Sequence, residues 1–310
     1  MQNSEFEMQD AKRHMQQLNR DFVFVVLAYN TRMRRLLFSL LFLPTLVLPL
    51  SAATVDGVKL HSSSAGKGAK TVVLVHGWTC DDSSWRSQVP VLAKEYRVLT
   101  LDLPGHGQSG SPKGGTFSMD LFARAVEAVR SEAKADKVVL VGHSMGTPVI
   151  RQYARLYPQH VAGLVFVDGL VSIPAVPRAQ GAPAPPDPNQ MGGPGGLKAR
   201  ETMIRGMFTP KTPEALQQHI LKMMLSAPEA TATGAMRATF DPAIWTDDVM
   251  RLPVLGIYAE KSQLGNVERA KKLYPTFEYT EIVGTGHFLM MERPEEFNRL
   301  LMAFLRKVLN

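Results

Sequence analysis

The chain has 310 residues, 45% of them hydrophobic and 20% charged, enough for one large folded domain with an insertion, and it holds no internal repeat or long low-complexity tract. The net charge of +7 is modest, and no basic run or aromatic–basic interleaving suggests a nucleic-acid partner. One cysteine excludes an internal disulfide, and eight scattered histidines without HExxH or CxxC spacing give no metal-binding pattern.

The chain opens with a stretch that reads as targeting and not as fold. Met33-Arg34-Arg35 precedes an apolar run over residues 36–50 and then Ser51-Ala52-Ala53. A basic start, about fifteen apolar residues and a small-x-small end are the three parts of a secretory signal peptide. Cleavage is expected after Ala53, which makes the protein periplasmic or secreted. The run is short for a membrane span and is interrupted by Pro44 and Pro49, so membrane association is expected only if this segment stays uncleaved. Signal peptides begin at their basic region, so Met33 reads as the true start and residues 1–32 as an upstream extension. Residues 1–53 hold six Lys/Arg and four Asp/Glu, which leaves 29 against 24 and a charge of +5 in the remainder.

From there short apolar, β-branched runs alternate with helical patterns. Residues 71–75 read as a buried strand running into His76-Gly77-Trp78, with Cys80 just beyond as a small, partly buried side chain. Residues 96–101 form the next strand and end in Asp102-Leu103-Pro104-Gly105-His106-Gly107-Gln108-Ser109; a helix follows over 117–133. Residues 137–141 are a strand, Gly142-His143-Ser144-Met145-Gly146 a tight turn, and 147–157 a helix. A Gly-x-Ser-x-Gly between strand and helix is a nucleophile elbow, in which a strained backbone lifts the serine Oγ above the sheet. The flanking glycines are expected because a Cβ there would strike the adjoining strand or helix.

The strand at 161–167 ends in Asp168-Gly169, after which the pattern changes. Residues 174–194 hold seven prolines among many Ala and Gly and read as a flexible access loop. Helical patterns follow at 197–207, 213–225 and 229–239 and carry Met203, Met207, Met223, Met224 and Met236. These read either as ordinary helix packing or as an adaptable apolar lid. Lys198, Arg200 and Arg205 read as a solvated helix face. The strand at 253–258 leads to Ala259-Glu260-Lys261-Ser262, a helix to 267–273, the strand at 277–283 to Gly284-Thr285-Gly286-His287, and a last helix to 294–308.

Four motif loops in this order, each after a strand, resemble the α/β-hydrolase superfamily over roughly residues 55–310. The resemblance implies a mostly parallel sheet with helices on both faces and a helical cap between strands 6 and 7 of the family's count, here after 161–167 and before 253–258. It divides the chain into core (54–170), proline-rich loop and cap (171–248) and core again (249–310). It implies Ser144 as nucleophile, His287 as base, and the backbone N–H groups of Trp78 and Met145 as oxyanion donors, with no cofactor and no metal. His76, His106 and His143 then serve as supporting hydrogen-bond groups.

The acid departs from the pattern. Related chains carry Gly-x-x-Asp where this one has Ala259-Glu260-Lys261-Ser262, and a serine cannot be the buried anion. Asp168 and Glu260 both keep the order Ser, acid, His, and Asp168 is preferred because it ends the neighbouring strand and points at the site. The function implied is hydrolysis of a small or medium carboxylic ester with an apolar acyl or aryl group. The alternatives are a carbon–carbon bond hydrolase, a cofactor-free haloperoxidase or perhydrolase, and a non-catalytic ligand-binding member of the fold.

Overall fold

The computed structural model describes residues 48–49, 53–171, 187–260, 262 and 264–309, all within one compact unit, Leu46–Asn310. The 1–32 extension, almost all of the 33–53 signal segment and residues 172–186 of the proline-rich stretch lie outside the described residues. Among the described residues no helix is long and apolar enough to cross a membrane.

The described residues hold ten strands: β1 Leu48–Pro49, β2 Thr54–Val55, β3 Val58–Lys59, β4 Ser62–Ala65, β5 Thr71–Val75, β6 Arg97–Leu101, β7 Val138–His143, β8 Val161–Val167, β9 Val254–Ala259 and β10 Phe277–Ile282. Eight of them make one sheet in the order β1-β4-β6-β5-β7-β8-β9-β10. The β1–β4 and β4–β6 pairs are antiparallel, and every pair from β6 to β10 is parallel. Strands β5, β7 and β9 are buried at every position, which a parallel sheet achieves only when both faces are covered. The strands before β5 have no counterpart in the sequence reading; β2 and β3 form a separate hairpin whose Asp56-Gly57 turn takes φ of 48° and 78°.

The helices are α1 Val89–Leu92, α2 Met119–Glu132, α3 Gly146–Leu156, α4 Gly196–Arg205, α5 Glu214–Leu225, α6 Glu229–Thr239, α7 Val267–Leu273, α8 Leu289–Glu292 and α9 Pro294–Leu309. Helix α2 starts where Ser118 accepts from the Leu121 N–H, an N-cap that satisfies an otherwise orphaned donor. Helices α4–α6 form the cap, between β8 and β9. The segment that leaves it is tied to the core by Arg151 of α3. That side chain is 2% exposed, donates to the carbonyls of Ile244 and Thr246, and lies against the Trp245 ring.

The β7–α3 connection sets the height of everything above the sheet. A Cβ on Gly142 would fall on the Gly146 carbonyl, and one on Gly146 would lie 2.5 Å from the Val75 carbonyl oxygen of β5. Helix α3 can start this close to β5 and β7 only because both positions lack side chains. Gly146→Ala is therefore expected to cost about 1–3 kcal/mol, as overpacking against backbone does, and to lower Tm by several degrees. An unchanged Tm would show that the turn has room to relax.

Candidate active site

At the end of β7, Ser144 adopts φ of 53°, in the left-handed region that L-residues avoid. Two backbone bonds hold it there: its N–H donates to Val167 O (2.9 Å), and its carbonyl accepts from Thr147 N (3.0 Å). Met145, 3% exposed, precedes the first turn of α3, so its N–H lies at the positive end of that helix. Trp78 lies on the facing loop after β5, 5% exposed. Ser144, Met145, Trp78, Asp168 and His287 all line one cavity of about 460 Å³.

His287 and Asp168 are in direct contact, Nδ1 to Oδ2 at 2.6 Å, with side chains 11% and 4% exposed. A carboxylate can only accept, so Nδ1 carries the proton and Nε2 is left as the acceptor. Among the described residues no hydrogen bond joins Ser144 Oγ to the imidazole; such contacts commonly tighten only when substrate binds. Asp168 takes φ of 41°, and its Oδ1 accepts from the Ala259 N–H (3.1 Å). Burial alone would raise its carboxyl, but the His287 hydrogen bond and charge, the Ser262 hydroxyl and the Ala259 N–H outweigh that. Together they hold it below the usual carboxylate range. Glu260, the alternative acid, is exposed and accepts from the Gly284 N–H at 3.2 Å. Asp168 is thus the carboxylate brought against His287, and Ser262 turns its hydroxyl onto that carboxylate.

The three other motif histidines are buried and hydrogen-bonded to backbone. His76 donates from Nδ1 to Gly77 O (2.8 Å) and accepts the Leu103 N–H at Nε2 (3.0 Å). His106 donates from Nδ1 to Pro104 O (3.0 Å), and His143 from Nε2 to His287 O (2.9 Å). Burial, with the charge of a neighbouring histidine, pushes both His106 and His143 down to about 3. His143 therefore anchors the main chain of His287 without placing a second cation beside it. The contact between them was not legible in the sequence, and neither was the carbonyl of Met207 that accepts the His287 N–H (3.1 Å).

From the cap, Met203, Met207, Phe208, Met236 and Phe240 line the cavity. Met223 and Met224 do not; they are buried at 7% and 2%, and the Met223 sulfur accepts from the Ser83 and Ser84 hydroxyls. Arg200 corrects the expectation of a solvated face: it is 6% exposed and donates to Ala227 O (2.9 Å), bridging α4 to the residues before α6. Arg205 does face solvent, paired with Glu201 one turn away. Cys80 is 1% exposed, and burial pushes its thiol far up, so it is not a reactive thiolate.

Among the described residues His61, Asp82 and Asp102 form the one group of metal-type ligands. Their carboxylates already accept protein donors, Asp102 from Asp82 N–H and Gln108 N–H, and Asp82 from the Thr100 hydroxyl. None of the three lines the cavity.

Residues 72–300 match the sequence model of the Alpha/beta hydrolase family. The chain is 30% identical over 253 residues to the dihydrolipoyllysine-residue acetyltransferase component of the acetoin cleaving system of Pseudomonas putida, 78% of this chain and 65% of that protein. It therefore spans just under two thirds of that relative. Identity is 26% over 278 residues to the 2-hydroxy-6-oxononadienedioate/2-hydroxy-6-oxononatrienedioate hydrolase 1 of Dechloromonas aromatica, covering 80% of this chain and 91% of that one. Among solved structures, a thermophilic esterase from Thermogutta terrifontis superposes with a TM-score of 0.72 at 25% identity, covering 85% of this chain and 99% of the esterase.

The two low histidines make stability depend on pH. Their folded values lie below the unfolded value of about 6.5, so the unfolded chain binds protons that the native state refuses. The stabilisation is complete above pH 6.5 and is lost as pH falls toward 3, by up to about 1.4 kcal/mol per pH unit for each histidine. Tm is expected to fall between pH 7 and pH 5, and His106→Gln is expected to fall less steeply. Equal slopes in the two proteins would remove His106 as a source of acid sensitivity.

Proposed function

The chain belongs to the Alpha/beta hydrolase family, and from that premise we propose that it is a serine hydrolase of small or medium carboxylic esters, working through an acyl-enzyme. The observation that carries this reading is the 2.6 Å Asp168–His287 pair, buried in a cavity that it shares with the left-handed Ser144. Ser144 Oγ attacks the ester carbonyl while His287 Nε2 takes its proton, and Asp168 holds the ring and stabilises the imidazolium. The N–H groups of Trp78 and Met145 carry the developing oxyanion. His287 then returns the proton to the departing alcohol. Water, activated by the same imidazole, releases the acid. The step needs no cofactor.

The cavity supports an apolar acyl or aryl group, since its cap side is made of Met and Phe side chains. Each methylene taken from water is worth about 0.8 kcal/mol, so kcat/KM on p-nitrophenyl esters is expected to rise up to about fourfold per carbon until the cavity is full. Ser144→Ala is expected to abolish turnover, and Asp168→Asn to cost about four orders of magnitude, by analogy with the serine-protease triad. Glu260→Gln is expected to retain most activity; a greater loss there than in Asp168→Asn would make Glu260 the acid. Wild-type protein without serine-dependent ester turnover would move the assignment to carbon–carbon cleavage, perhydrolysis or ligand binding.

Export to the periplasm or medium, with cleavage after Ala53, follows from the three-part segment at 33–53. N-terminal sequencing of protein recovered from those fractions is expected to start at Thr54, and a start at Met1 or Met33 would exclude cleavage.

A further inference from the structure

The cap meets the catalytic loops through hydrogen bonds as well as apolar packing. In α6 the Ala232 carbonyl accepts the indole N–H of Trp78 at 2.8 Å, across 154 positions of sequence. One residue earlier the Thr231 hydroxyl donates to Gly105 O at 2.9 Å. On the other side the Met207 carbonyl takes the His287 N–H, and Glu292 accepts from both the Gly286 N–H and the Thr212 hydroxyl of the cap. Both loops that flank Ser144 are thus fastened to the cap.

Trp78 is singular among these contacts because its two halves do different work. Its main-chain N–H is the oxyanion donor of the serine-hydrolase reading, and its side chain is the fastening to α6. The loop is firmly seated on the elbow side as well. A Cβ on Gly77 would lie 3.1 Å from Ser144 Cβ and 3.0 Å from His143 Nδ1, and the Cys80 N–H closes the turn on Gly77 O at 3.2 Å. Thr79, with φ of 54°, makes the turn sharp. A loop held between the elbow below and α6 beside it has one position for its N–H.

We propose that the cap is a fixed part of the catalytic apparatus, and that the Trp78 indole is the positioning group through which α6 sets the oxyanion donor. This rests on the serine-hydrolase reading. Misplacing a catalytic group by about 1 Å can cost about a hundredfold in rate, and removing one oxyanion donor about a hundred- to a thousandfold. Loss of the fastening weakens transition-state binding while the ground-state ester still meets the Met and Phe side chains of the cap.

The test compares full-length wild type, Trp78→Phe, Thr231→Val and Ser144→Ala on one p-nitrophenyl ester, with an alkylboronic acid as the tetrahedral mimic. Trp78→Phe keeps a ring and removes the N–H. It is expected to lose at least tenfold in kcat with KM within about threefold, and to bind the boronic acid weaker by the same factor as kcat. Thr231→Val removes the neighbouring cap bond without touching the oxyanion loop, and is expected to keep kcat within twofold even where its Tm falls. Unchanged kcat in Trp78→Phe, or a loss confined to KM, overturns the proposal, as does an equal kcat loss in Thr231→Val. Turnover that survives in Ser144→Ala would instead overturn the serine-hydrolase reading, and the proposal with it.

Discussion

The left-handed backbone of Ser144 is the constraint on which the rest of the site depends. A non-glycine residue in this region costs roughly 1–2 kcal/mol, and the surrounding packing has to sustain it. That packing is a meeting of backbones. Helix α3 begins against β5, and the loop after β8 closes over the elbow so tightly that a Cβ on Gly169 would lie 2.6 Å from Ser144 O and collide with the Thr147 side chain. The chain must leave β8 sharply to pass this point, and Asp168 does so with φ of 41°. The strain at Ser144 and the strain at Asp168 are thus two consequences of one close approach.

Electrostatics complete what sterics begins. Asp168 is almost fully buried yet held as an anion, because donors from His287, Ser262 and Ala259 outweigh the cost of burial. In the proposed reaction its partner accepts a proton, so a second imidazolium in contact with it would work against the chemistry. The His143 ring lies tilted against His287, centroids 4.7 Å apart, and is kept neutral by burial. It therefore supplies a hydrogen bond to the His287 carbonyl without supplying charge. The site holds one buried anion beside one imidazole, with neutral donors around them.

Much of this was legible in the sequence because three of the four motif loops follow an apolar run that becomes a buried parallel strand, the exception being β10 before His287, which is half-exposed. Cap helix α6 lies at the predicted residues, and α5 and the last helix within a residue of them. What was illegible depended on contacts between distant residues. Ser62-Ser63-Ser64-Ala65 has no strand-like composition, and pairing with β1 and β6 makes it one. Arg200 has the spacing of an exposed face, but the Ala227 carbonyl, 27 residues on, gives it a buried partner. The methionines of the cap divide between cavity and core according to helix rotation, which a count of methionines does not encode.

The contact of His287 with Asp168, and not with a residue of the β9 loop, has a geometric explanation in the sheet. Strands β8 and β9 run parallel in register, Val167 opposite Ile257, so their C-terminal ends open side by side above the same edge of the sheet. A carboxylate leaving either strand enters the same space. The β9–β10 pairing, with Ala259 opposite Ile282, then brings the loop carrying His287 over that space from the next strand. With the carboxylate on β8, the β9 loop is free to act as its support, and the Ala259 N–H and the Ser262 hydroxyl both point at it. The position where the family resemblance would place the anion here carries a donor to Asp168. A carboxylate on β8 and one on the β9 loop would thus face His287 from the same point, and in this chain β8 supplies it.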